Sequence, residues 1–127
     1  MNKKYIFFDD ILIGIFSYFK KGKNQFIHDG EDFHTFFYEQ RENYPALLGD
    51  KAFRTRMFPR SEGLDQAYNN LMHSGLLFSW GIDYNPHEIS PKCREYFDER
   101  IKPNMIKEEI EGIEKLSEEF QKRFVVE

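Results

Sequence analysis

Apolar residues recur along this chain at helical spacing, and the recurrences are broken by short strand-like runs. Ile11, Ile15, Phe16 and Phe19 share one face, and Leu12 and Ile13 widen it. The pattern predicts a broadly buried helix over residues 8–20, started by Asp9 or Asp10 and stopped at Lys20, Lys21 and Gly22. Residues 22–30 read as a polar link anchored by Phe26 and Ile27. Phe33, Phe36, Phe37 and Gln40 predict a second helix over residues 31–43, with Asp29 as its cap and Tyr44-Pro45 as its end. Leu47 and Leu48 read as buried and Gly49-Asp50 as a turn, and residues 51–57 fit helix or extended chain equally.

The most regular pattern runs over residues 61–100. Ser61 is a helix cap, with Glu62 and Asp65 in the first turn. Leu64, Ala67, Tyr68, Leu71 and Met72 form one apolar face, and Gly75 closes the helix. Leu76 to Trp80 read as a strand, residues 81–86 as a turn, and residues 87–90 as a short returning strand. Ser90-Pro91 then opens a helix that Tyr96 and Phe97 pack inward. Beyond Pro103 a last helix is expected over residues 104–124, weakened somewhat by Gly112. Its apolar stripe is Ile106, Ile110, Ile113, Leu116, Phe120 and Phe124, and its other face is rich in glutamate. That stripe either covers the chain's own core or pairs with the same helix of a second chain. Its length favours a homodimer, the commonest oligomer.

These 127 residues suit one domain. The expected fold is mainly α with a small β-hairpin: a winged-helix-like domain over residues 1–102, and a C-terminal amphipathic helix over residues 103–127 as the candidate dimerisation element. Fourteen Phe and seven Tyr supply enough ring area for a compact core, which argues against disorder. The net charge of -4 argues against a protein that coats nucleic acid by bulk charge, while leaving room for a local basic surface. The lone Cys93 cannot form an internal disulfide. The N-terminal apolar run is interrupted by Asp9 and Asp10 and is too short to span a bilayer, so a cytoplasmic protein without a membrane segment is expected.

The run L-D-Q-A-Y-N-N-L-M-H-S-G-L-L, followed by W-G-I-D-Y-N-P-H-E-I-S-P-K-C-R-E-Y-F, resembles bacterial winged-helix regulators of the MarR and PadR kind. The resemblance covers residues 61–100 and rests on Leu71, Gly75, Leu76, Leu77, Ile89, Ser90, Lys92 and Tyr96. It implies a DNA-binding transcriptional regulator with a dimerising C-terminal helix. In such proteins a basic wing usually touches phosphate, and here residues 81–87 hold no lysine or arginine.

Under the DNA reading, Gln66, Asn69 and Asn70 face base edges, where amides pair with adenine. Arg54, Arg56 and Arg60, with Lys51 nearby and Ser61 at the helix start, grip the phosphates of double-stranded DNA. The alternative is a non-catalytic adaptor or assembly module that binds a protein partner. It fits the acidic total and the uncharged-to-acidic wing, with Phe78, Trp80 and Tyr84 as an aromatic contact patch. No enzyme is expected. His28, His34, His73 and His87 lack zinc-motif spacing, Cys93 has no evident base, and no Gly-rich phosphate loop is present. No cofactor or metal is expected either.

Overall fold

The computed structural model describes residues 6–79 and 86–125. Over these residues the chain is mainly helical with one small antiparallel sheet. In chain order the elements are α1 (Phe8–Ser17), β1 (Gln25–Ile27), α2 (Gly30–Gln40), α3 (Pro45–Leu48), α4 (Glu62–His73), β2 (Leu77–Ser79), β3 (Pro86–Ile89), α5 (Lys92–Tyr96) and α6 (Lys107–Phe124). A π-helical turn, Phe97–Ile101, continues α5, and a 3-10 turn, Lys102–Asn104, follows it.

Local chemistry sets most of the helix ends. Asp29 caps α2 by accepting from the Asp32 N–H at 3.2 Å, as its position before the apolar repeat predicts. Ser61 caps α4 in the same way, accepting from the Leu64 N–H at 3.2 Å. At the other end Gly75 adopts φ +74°, a left-handed conformation that glycine enters without strain. The Leu76 N–H then reaches back to the Leu71 carbonyl and the Gly75 N–H to that of Met72, so two otherwise orphaned carbonyls gain partners. Ser90 Oγ accepts from the Lys92 N–H at the start of α5. In α1, Asp9 and Asp10 lie inside the first turn instead of capping it, and the helix stops at Ser17, before Lys20.

The hairpin expected from residues 76–90 is one part of a three-stranded sheet in the order β1-β3-β2. β3 is the middle strand, pairing Phe26 with His87 on one side and Phe78 with Glu88 on the other. Residues 22–30 are therefore not only a link: β1 closes the sheet's far edge. The expected turn at residues 81–86 lies outside the described residues apart from Pro86.

The core is dominated by phenylalanine. Phe26, Phe33, Phe36, Phe37, Phe97 and Phe120 are fully buried. Phe120 stands among six rings: Phe16, Phe19, Phe26, Phe33, Phe36 and Phe37, with Phe124 packed beside it at 4.6 Å. Such ring pairs add to simple area burial. Tyr96, expected inside, is 45% exposed, while its neighbour Phe97 is buried.

The last helix starts at Lys107, not at residue 104, because Lys102–Asn104 form the separate 3-10 turn. Four residues expected at a dimer interface, Ile113, Leu116, Phe120 and Phe124, are instead buried inside this chain's own core. Ile110 is half-buried and Ile106 remains 59% exposed. The core thus runs straight across the expected boundary at residue 103. Polar groups reinforce the join. Ser117 Oγ donates to the Ile15 carbonyl at 2.6 Å. Gln121 donates to the Tyr18 carbonyl at 3.1 Å and accepts from the Lys20 N–H at 3.0 Å. α6 therefore satisfies the backbone groups that the end of α1 leaves open. Arg123 ties the same helix to α2 through Asp32 and Glu39, and those partners raise its pKa further.

Candidate functional site

The candidate residues fall on two adjoining surfaces, a loop before α4 and the outward face of α4. The loop is pinned at its base. The Arg54 N–H donates to the Arg60 carbonyl at 2.7 Å, and the Arg60 N–H returns the bond at 2.8 Å. Five residues, Thr55 to Pro59, form the tip above that pair. Met57 is 94% exposed there, the most solvent-facing large apolar residue among those described. Arg54, Arg56, Met57, Phe58, Arg60 and Glu62 line a shallow groove of about 470 Å³.

The three arginines differ in what they touch. Arg54 pairs with Glu62 at 3.2 Å, with both side chains largely in solvent. Arg60 grips Asp65 through Nε at 3.1 Å and Nη2 at 3.0 Å. Arg56 is exposed and has no ion pair among the described residues. Lys51, grouped with them in sequence, is buried at 4% exposure. Its ammonium donates to the Ile6 carbonyl and to Asp50, so it is turned away from any phosphate on this surface.

Asp65 also anchors a chain of hydrogen bonds that reaches the start of α4. The Ser61 N–H donates to His34 Nδ1 at 3.0 Å. A backbone N–H can only donate, so Nδ1 is the acceptor and the ring proton sits on Nε2. Nε2 in turn donates to Asp65 Oδ1 at 2.8 Å. Arg60, Asp65, His34 and Ser61 thus form one relay that fixes the loop's exit against α2. Among the described residues the acid–histidine pair has no nucleophile in front of it. His34 Nδ1 meets an amide, and the buried Ser61 hydroxyl is used as the helix cap.

On α4, Gln66, Asn69 and Asn70 are exposed, as expected. Asn70 donates to Asp9 at 2.9 Å, which ties it to α1. The whole face is acidic at its start, through Glu62 and Asp65, and it borders a cleft of about 810 Å³ that also holds Asp9, Asp10 and Asp50. Phe78 is 42% exposed; Trp80 and Tyr84, its expected companions in an aromatic patch, lie outside the described residues.

Sequence reading treated the histidines as scattered, but three of them lie around one spot. His28 stacks on Tyr68 at 4.6 Å and lies 4.7 Å from His87. Tyr68 is hydrogen-bonded to His87, and His34 lies nearby beside Phe33. Burial, with His87 and His34 alongside, pushes the His28 pKa down to about 4, and burial raises that of Tyr68. The cluster clamps the β1–α2 junction to α4 and β3. Among the described residues no group of three or more His, Cys, Asp or Glu is arranged to hold a metal ion. Cys93 is buried, donates to the Leu76 carbonyl at 3.4 Å, and has its thiol pushed up to about 12 by burial. It is a packing residue with little thiolate to offer.

No family model matches the chain, and no curated protein or solved structure does either. Among the described residues no helix is long and apolar enough to cross a membrane.

Proposed function

We propose that this chain is a non-catalytic protein-interaction module on a winged-helix-type scaffold, and that its contact surface is the Arg54–Arg60 loop with the start of α4. The order α1-β1-α2-α3-α4-β2-β3 and the strand order β1-β3-β2 support the scaffold reading. One observation carries the choice of a protein partner over duplex DNA. Arg60 is held by two contacts to Asp65, and Glu62 and Asp65 stand directly beside the arginines that would hold phosphates. A duplex lying along α4 would bring its phosphates against Glu62 and Asp65, with the acidic cleft beyond. Met57, by contrast, offers a fully presented apolar side chain flanked by arginines, and both residue types are enriched in protein interfaces.

DNA binding in transcriptional control stays as the second reading, favoured by the exposed amides of Gln66 and Asn69 and by the exposed Arg56. A fluorescence-anisotropy titration against random duplex DNA at low and high salt separates the two. The protein-module reading expects no salt-dependent binding. Binding that weakens steeply with salt and disappears in Arg54→Ala/Arg56→Ala/Arg60→Ala would overturn it. A photocrosslinking amino acid at position 57, used in the source cell, is expected to give one discrete protein adduct. The same group at the exposed position 107 of α6 is expected to give none.

A further inference from the structure

We infer that the groove beside Met57 receives an acidic segment of a protein partner, with an apolar side chain seated on Met57 and Phe58 and carboxylates on Arg54 and Arg56. The inference rests on the reading of the chain as a protein-interaction module. It is carried by how charge and apolar surface are divided within the loop.

Arg60 is committed to Asp65 by two contacts and through it to His34, so it acts as part of the frame. Arg54 holds Glu62 in an ion pair whose side chains are 82% and 76% exposed. A pair in that much water contributes little, so a partner's carboxylate can replace Glu62 at small cost. Among the described residues Arg56 has no carboxylate to release. Two guanidiniums can therefore turn toward an incoming acid, and each favours a carboxylate in two-pronged geometry. Between them Met57, unbranched and flexible, can mould itself to an aliphatic or aromatic side chain. The backbone pair at Arg54 and Arg60 holds the loop's base in place before binding, which lowers the ordering cost.

The same positive charge would attract a polyphosphate, but the shape of the surface decides against a long anion. The basic residues lining the groove, Arg54, Arg56 and Arg60, all belong to this loop, and Glu62 and Asp65 begin immediately behind it. A short peptide crossing the tip avoids those carboxylates, whereas a duplex or an anionic bilayer would extend over them. The exposed apolar tip likewise has no use in phosphate binding.

The test is anisotropy with three labelled synthetic peptides: glutamates flanking two leucines, the same peptide with glutamines for glutamates, and the same glutamates with serines for leucines. The full chain is expected to bind the first saturably. Each control peptide should bind about tenfold more weakly, as should the first peptide to Arg56→Glu or to Met57→Asp. Both positions are exposed, and circular dichroism checks that the variants fold. Equal binding of either control, or no effect of Arg56→Glu, overturns the inference. So does tighter binding of duplex DNA or of phosphatidylserine vesicles than of the first peptide. If no peptide binds but the crosslink from position 57 persists, the acidic-segment inference fails and the module reading stands. Loss of the crosslink as well removes both.

Discussion

Gly14 sits where α1, α6 and the π-turn come closest, and replacing it with alanine sets two effects of opposite sign against each other. A β-carbon at that position would lie 2.7 Å from Ile113 Cγ2 and 2.9 Å from Phe97 Cε1. Comfortable carbon contacts begin near 3.5 Å, so the neighbours would have to yield by roughly 0.5–1 Å. Neither has room to move, since both side chains are buried in the aromatic core. Overpacking of this kind costs about 1–3 kcal/mol. Alanine in mid-helix gains about 1 kcal/mol over glycine. Gly14→Ala is therefore expected to destabilise by up to about 2 kcal/mol, lowering the urea midpoint by up to roughly 1 M at unchanged slope. Gly112→Ala is the control. There the one tight contact is with Leu47 Cδ1 at 3.1 Å, which need yield only a few tenths of an ångström, so the helix gain should leave stability level or higher. The experiment reports directly on where α6 packs. If α6 left its own chain to pair with another, Phe97 alone would crowd Gly14, and Gly14→Ala would cost no more than removing one of the two clashes allows, leaving the midpoint level or higher. That result would refute the packing argument.

Burial beside His87 and His34 depresses the His28 pKa from 6.5 to about 4, so the unfolded chain takes up a proton that the folded chain refuses. This contribution is fully present above about pH 6.5 and is lost as pH falls toward 4. The shift sets a ceiling of about 3 kcal/mol, which partial exposure reduces to roughly 1–2. Urea midpoints taken at neutral and mildly acid pH should fall less for His28→Phe than for the wild type, and equal slopes would contradict the assignment. Gln121→Leu leaves the Tyr18 carbonyl and Lys20 N–H without their side-chain partner, so stability should drop by about 1–3 kcal/mol. Hydrogen exchange at the Lys20 amide should quicken in that variant; unchanged exchange would show that α6 does not cap α1.

What could be read from the sequence was local. Asp29, Ser61 and Gly75 act through bonds spanning five residues or fewer, so their roles were visible from spacing alone. β1 was hidden because three residues make no periodicity. Its strand character comes from pairing with β3, some sixty residues later. The stripe on α6 announced that something must cover it but not what, and Gly14 supplies the missing fact by letting α1 approach closely. The arginines were found, but their partners were misjudged in weight. Lys51 turns inward to Ile6, and Arg54 and Arg60 are matched by acids in the first turn of the next helix. The histidine cluster was beyond reach, since positions 28 and 87 meet only through the pairing of β1 with β3.

The central claim is that the Arg54–Arg60 loop meets a protein. The most direct measurement is the photocrosslink at position 57 in the source cell, with the adduct divided between nuclease and protease digestion. The account predicts a discrete adduct that resists nuclease, collapses with protease, and is lost when Arg56→Glu is added. A nuclease-sensitive adduct, or none at all, would contradict it.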